Sequence, residues 1–161
     1  FTPVGNTDSE LAFCYLLEQL VKRFGYTEPT LDQIFDLLLE ISPQIAEHGT
    51  FNFCLSNGQA LFSYAITKLH WLVREYPFQP AQLIDLDVEV DFSEVTTADD
   101  RVAVITTEPL TQNEVWQAYQ PGEMILFQHG RPIRSALTYV ERLERERLDP
   151  SLKRVTRADQ Y

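Results

Sequence analysis

The sequence predicts an α+β domain with mainly antiparallel strands, and three observations carry that expectation. Apolar residues recur at helical spacing as far as about residue 48, then switch to alternation with a period of two. The switch happens once, and short turns such as Asn57-Gly58 punctuate the second region, so hairpins rather than βαβ crossovers join its strands. With 161 residues, 44% of them hydrophobic and 12% aromatic, the chain is large enough to bury one core.

The first element starts at a capping signal. Thr7 followed by Glu10 predicts a capping box, with the Thr7 hydroxyl accepting from the Glu10 amide and the Glu10 carboxylate reaching back to the Thr7 amide. The helix then runs from Asp8 to Phe24. Leu11, Cys14, Tyr15, Leu17, Leu20 and Val21 form its apolar stripe, and Gly25 closes it as a left-handed cap. Asp8 sits on the first turn, where a carboxylate complements the helix dipole and is also placed to face a ligand. A second helix begins near Thr30, with Leu31, Ile34, Phe35, Leu38 and Ile41 facing inward. Ser42-Pro43 is expected to interrupt it, because a residue before proline resists the helical region. That leaves 44–48 as a short separate helix ending at Gly49.

Strands are expected at 51–56, 59–67, 70–75, 82–85, 87–92, 101–107, 123–128 and 131–134. Asn57-Gly58 reads as a type I′ hairpin turn, and His129-Gly130 as the turn into the last strand. Within 87–92, Asp87, Glu89 and Asp91 alternate with Val88, Val90 and Phe92, which predicts a wet acidic face over a buried apolar one. Asp85, Glu94, Asp99 and Asp100 extend that acidity, read as a solvated face and not as a metal site. Two adjacent helices before a strand meander suit one helical layer on a sheet.

Residues 135–161 differ in composition. A charge-laced helix is expected at 139–148, with Glu141 and Arg145, and Arg142 and Glu146, at pairing distance along it. Val140, Leu143 and Leu148 give it only a narrow apolar edge. The domain is therefore drawn at 1–134 and a charged helical tail at 135–161, the tail either docking on the body or on a second subunit, as in a homodimer, or remaining solvated.

Charge excludes some functions. The formal balance is −11, and residues 1–130 hold 19 acidic and 5 basic side chains, whereas 131–161 hold 5 acidic and 8 basic. Such a body repels nucleic acid and anionic membrane surfaces. No apolar run approaches eighteen residues, and no basic-then-apolar leader opens the chain. Cys14 and Cys54 fall on apolar faces and read as buried free thiols, consistent with a reducing, cytoplasmic setting. Nothing in the spacing calls for a metal or a cofactor.

Thr7-Asp8-Ser9-Glu10 resembles the T-D-T-E or S-D-T-E element of the class II glutamine amidotransferases, a family built on an N-terminal cysteine nucleophile. Leu69-His70-Trp71 and the acidic stretch 87–93 are similar to its stand-alone bacterial branch, which carries no synthase domain. The stretch 102–110 ending in Glu108-Pro109-Leu110, then Trp116, then Pro121-Gly122-Glu123, resembles the family's closing strand, tryptophan and P-G-E turn. The likeness covers about residues 1–133. It implies the four-layer α-β-β-α sandwich of N-terminal nucleophile hydrolases. It also implies hydrolysis of the γ-amide of glutamine, or of another γ-glutamyl compound, without a cofactor. Asp8 would hold the α-ammonium of that small-molecule substrate, with Thr7 and Ser9 in weaker supporting roles. Trp116 and Glu123 would be packing and hairpin elements. His70 is expected to be a packed or surface histidine, and His48 and His129 to be turn residues.

In that family the first residue of the mature enzyme is the nucleophile. Phe1 has no nucleophilic atom, and Thr2 would serve only after removal of Phe1, which Pro3 disfavours. The family's upstream arginine and its Asn-Gly oxyanion element are not found either, since Asn57-Gly58 comes after the Asp8 motif. The expectation is that these residues are the C-terminal portion of the enzyme, with no catalytic residue of their own. On this view they depend on a missing N-terminal segment and are inactive alone. The rival expectation is a non-catalytic pseudoenzyme, or an amino-acid-binding or interaction module, of the same fold.

Overall fold

In the computed structural model, which describes residues 1–84, 89–91, 96–140, 144 and 147–148, two helices precede a series of antiparallel strands. The chain divides into two compact units: Phe1–Phe51 with Thr138–Tyr161, and Asn52–Leu137. The α+β expectation holds.

In the first unit, α1 spans Asp8–Phe24. Its N-cap Thr7 is extended, and its hydroxyl accepts from the Glu10 amide at 3.2 Å. The reciprocal half of the expected box does not form. The Glu10 carboxylate instead accepts from the Val4 and Gly5 amides at 2.7 and 2.9 Å, because two donors converge there and Thr7 offers only one. Gly25 closes the helix through its amide to the Val21 carbonyl at 2.8 Å. Its φ of 60° is positive as expected, but a ψ of −123° places it outside the left-handed helical basin. The predicted stripe is also rotated. Leu16 is the helix's buried residue, while Leu11 and Val21 are 61% and 51% exposed.

The second helix, α2, spans Leu31–Ala46 without a break. Its N-terminus carries the full capping box: the Gln33 amide donates to the Thr30 hydroxyl, and the Thr30 amide to the Gln33 side chain, at 3.2 and 2.9 Å. Pro43 neither ends the helix nor leaves 44–48 as a separate piece. Phe35, Leu38, Ile41, Ser42 and Ala46 form one buried stripe running past the proline, and burial of that stripe outweighs the lost backbone bond. The Ser42 hydroxyl, itself fully buried, donates to the Leu38 carbonyl at 2.6 Å. The two helices are joined by Arg23 on Glu40 at 2.9 and 3.0 Å, and by Tyr15 Oη donating to Gln44 at 3.3 Å.

The second unit holds β1 (Phe53–Ser56), β2 (Leu61–Ala65), β3 (His70–Glu75), β4 (Ala81–Gln82), β5 (Glu89–Val90), β6 (Arg101–Thr106), β7 (Gln117–Ala118), β8 (Glu123–Gln128) and β9 (Arg131–Leu137). They form sheets of order β1-β2-β8-β9, β6-β3-β7 and β4-β5, with every pairing antiparallel. A core lies between the first two sheets. Ala65, Ile125 and Phe127 from one meet Trp71, Ala103 and Ile105 from the other, with Leu69 and Tyr119 closing the side. Trp71 and Phe127 stack edge to face, 5.6 Å between ring centres.

Several strand details differ from expectation. Strand β7 was not anticipated, because two residues are too few for periodicity to register. Strand β9 runs to Leu137, beyond residue 134. Asn57-Gly58 does form a hairpin, but not through a two-residue I′ turn: Ser56 pairs with Leu61, so the loop is 57–60. The Asn57 side chain accepts from the Gln59 and Ala60 amides at 3.1 and 3.0 Å, so its side chain organises a longer turn. The I′ geometry appears at His129-Gly130, where both φ values are positive at 50° and 71°.

Cys14 is half-buried, but Cys54 is exposed and so departs from the expected buried thiol, since β1 is an edge strand whose alternation turns that residue outward. Asp91, Asp99 and Asp100 are exposed, whereas Asp85, Asp87, Val88, Phe92 and Glu94 lie outside the described residues. So do Glu141, Arg142, Leu143, Arg145 and Glu146, and with them both expected tail pairs. Glu144 and Arg147 make a bidentate pair, at 2.6 and 3.0 Å. Val140 is buried, while Tyr139 and Leu148 are exposed. Among the described residues, no helix is long and apolar enough to cross a membrane.

Candidate functional site

The site is set by how the chain enters α1. Thr7 must be extended to cap the helix, which turns the chain so that Asp8, its first residue, projects at the N-terminal end. Asp8 Oδ1 accepts from the Ser9 amide at 2.7 Å and from the Ser9 hydroxyl at 3.4 Å. Its second oxygen has no protein partner among the described residues, and the side chain is exposed. Thr7, Asp8 and Ser9 are thus brought together with distinct duties: Thr7 holds the cap, Ser9 orients the carboxylate, and Asp8 presents a free acceptor. Glu10 ties down the loop on the other side. This arrangement suits an ammonium donor, which is attracted both by the carboxylate charge and by a directed hydrogen bond.

Other chemistry-bearing side chains make contacts of a structural kind. His70 Nδ1 lies 3.0 Å from the Thr107 carbonyl at the start of β3, a packed histidine at a strand end. His48 and His129 lie beside turns, as expected. Glu123 accepts from the Gln120 amide at 2.8 Å across the Pro121-Gly122 turn. Trp116 donates its indole N–H to Thr111 at 3.0 Å, Thr111 donates to Glu114 at 2.6 Å, and Glu114 takes a bidentate bond from Arg74 at 2.7 Å on both arms. This chain locks the loop before β7 to β3. Sequence reasoning missed it, although a signal existed: Arg74 sits on the same strand face as buried Leu72, and a charge there calls for a partner.

The Arg74 bond holds the Glu114 carboxyl below the usual carboxylate range, against the opposing effect of burial. Tyr119 Oη and Ser63 Oγ are 2.5 Å apart in the core, and burial pushes the Tyr119 phenol up. The Cys54 thiol is also pushed up by desolvation, although the residue as a whole is exposed. Among the described residues, no group of three or more His, Cys, Asp or Glu is placed to hold a metal ion.

A family model for class II glutamine amidotransferases matches residues 1–151. YafJ of Escherichia coli K12, named as a candidate glutamine amidotransferase, is 45% identical over 133 residues, covering 83% of this chain and 52% of that protein. A Haemophilus influenzae protein with the same designation is 43% identical over 131 residues, covering 81% of this chain and 44% of its own. The 2.0 Å crystal structure of a Pseudomonas aeruginosa protein, likewise designated a glutamine amidotransferase, superimposes with a TM-score of 0.74 at 40% identity, covering 83% of this chain and 53% of that one. The chain spans about half the length of the relatives it matches.

Proposed function

The chain belongs to the class II glutamine amidotransferases, and from that premise we propose that it supplies the part of an amide-cleaving site that grips the substrate's α-ammonium. The substrate is glutamine or another γ-glutamyl compound. Asp8 accepts a charge-assisted hydrogen bond through its free oxygen, while Ser9 fixes the other oxygen and Thr7 holds the helix end in place. The observation that carries this reading is the open Asp8 carboxylate at the start of α1, oriented by Ser9 and unpaired among the described residues.

In the reaction, a cysteine thiolate attacks the γ-carbonyl carbon, and the C–N bond breaks as the leaving nitrogen takes a proton. Water then hydrolyses the thioester and releases a free γ-carboxylate. Neither cysteine of this chain suits the nucleophile. The Cys54 thiol is pushed up, opposite to what a thiolate needs, and Cys14 lies half-buried in the middle of α1. The nucleophile therefore comes from outside these residues, and the chain by itself does not turn over substrate. The intact enzyme completes an α-β-β-α sandwich of the N-terminal nucleophile type and works in a reducing, cytoplasmic setting, which two free cysteines suit.

Steady-state kinetics on protein that carries both these residues and its nucleophile test the proposal. Asp8→Asn lowers kcat/KM for glutamine by about ten- to a hundred-fold, the scale of one charge-assisted hydrogen bond. An unchanged value removes Asp8 from the site. Glutamine binding without any amide cleavage in the wild type points instead to the non-catalytic module.

A further inference from the structure

The loop between β1 and β2 sets a side-chain amide beside a backbone nitrogen able to attack it. The chain has four asparagines, Asn6, Asn52, Asn57 and Asn113, followed by Thr7, Phe53, Gly58 and Glu114. Of the four, Asn57 alone precedes a residue with no Cβ to screen the next backbone nitrogen. Asn57 and Gly58 are both exposed, and a Cβ built at Gly58 would meet nothing within 4 Å, so the loop leaves room there. The Asn57 amide is held at one end only. Its Oδ1 accepts from the Gln59 and Ala60 amides at 3.1 and 3.0 Å, while its Nδ2 has no protein partner among the described residues. Asn52 and Asn113 differ at that nitrogen: Asn52 Nδ2 donates to the Thr67 hydroxyl at 2.7 Å, and Asn113 Nδ2 to the Pro80 carbonyl at 2.8 Å.

We propose that Asn57 is a self-modification site, at which the Gly58 nitrogen closes on the Asn57 side-chain carbon and ammonia leaves. The Gly58 N–H, which donates to Ser56 Oγ at 3.1 Å, loses its proton to solvent base. A bond forms from that nitrogen to Asn57 Cγ, and negative charge collects on Oδ1, at which two backbone amides already point. The Cγ–Nδ2 bond then breaks, and the departing nitrogen takes a proton from water. A second water opens the cyclic imide at either carbonyl, giving an aspartate or an isoaspartate, whose main chain runs through the former side chain. The net change replaces an amide nitrogen with a carboxylate oxygen, by water alone. The aspartate keeps an acceptor for the Gln59 and Ala60 amides and adds one negative charge. The isoaspartate lengthens the main chain inside the 57–60 loop and loosens the Ser56–Leu61 end of edge strand β1. Neither Asp8 nor a cysteine takes part, so this reaction stands apart from the cleavage of a bound substrate.

Incubation of the intact, folded protein in mildly alkaline buffer, followed by peptide mapping with mass spectrometry, tests this. Asn57 converts about tenfold or more faster than Asn6, Asn52 and Asn113, and its rate rises with pH. Peptides covering position 57 then accept a methyl group from protein isoaspartate methyltransferase. Asn57→Gln, which must close a larger ring, lowers conversion at that position about tenfold or more and leaves the other three sites at their own rates. Gly58→Ala slows conversion at Asn57 in the same direction. An Asn57 that stays intact, or that converts no faster than the other three, overturns the proposal. So does conversion that occurs in the urea-unfolded chain and not in the folded one, since the loop then protects the amide.

Discussion

The Gly5 amide donates to Glu10 Oε2 at 2.9 Å, and a Cβ built at Gly5 would stand 2.5 Å from that same oxygen. A side chain at position 5 therefore competes with the bond that pins the loop ahead of Asp8. Glu10 accepts from Val4 as well, so one carboxylate fixes two successive amides. Glu10→Ala is expected to cost about 1 kcal/mol, the usual scale for losing a helix-end cap. Amide hydrogen exchange checks the local effect, with faster exchange expected at Val4 and Gly5 and little change in α2.

The Arg74 and Glu114 side chains are 17% and 16% exposed, so their bidentate pair is shielded from water. Arg74→Met leaves the Glu114 carboxylate with the Thr111 hydroxyl as its remaining hydrogen-bond donor among the described residues and is expected to destabilise by about 2 kcal/mol. The pH dependence follows from the lowered pKa. A carboxyl that is a stronger acid when folded than when unfolded stabilises above its unfolded value, and the contribution disappears as pH falls through its folded value. The stability difference between wild type and Glu114→Gln should be full at neutral pH and shrink below about pH 4. Urea unfolding at several pH values measures it, and a constant difference would refute the assignment.

Gly130 has φ of 71°, and a Cβ there would lie 2.5 Å from the Arg101 carbonyl oxygen. Neither the turn nor the neighbouring backbone can accommodate a side chain. Gly130→Ala should cost about 1–3 kcal/mol, visible as a lower thermal midpoint, whereas alanine at Gly49, where nothing lies within 4 Å, should cost much less.

Much of this architecture was legible because the informative residues act locally. Thr7, Glu10 and Gly25 mark the ends of α1 through bonds within a few residues, and His70 to Glu75 alternate cleanly enough to delimit β3. The signals failed where tertiary burial overrode local preference. Pro43 opposes a helix locally, yet buried Ile41, Ser42 and Ala46 continue it. Asn57-Gly58 suggests a tight I′ turn, yet the Asn57 side chain caps a four-residue loop. For the candidate site, composition and spacing alone left Asp8 as an acidic first-turn residue. The resemblance of the Thr7–Glu10 motif singled it out, and the orienting role of Ser9 is visible only in the folded structure.

Pro43 also predicts a gain. Alanine at that position restores a backbone donor inside α2 and removes ring crowding, so Pro43→Ala should stabilise by about 1 kcal/mol or more. Thermal unfolding decides it. A loss of stability would contradict it.

The most direct measurement compares glutamine with N-acetylglutamine, which lacks the positive charge that Asp8 is proposed to hold. In the intact wild-type enzyme, the ratio of the two kcat/KM values should be large. In Asp8→Asn it should fall by about ten- to a hundred-fold, because only the charged substrate loses a partner. A ratio unchanged by the substitution would contradict the account.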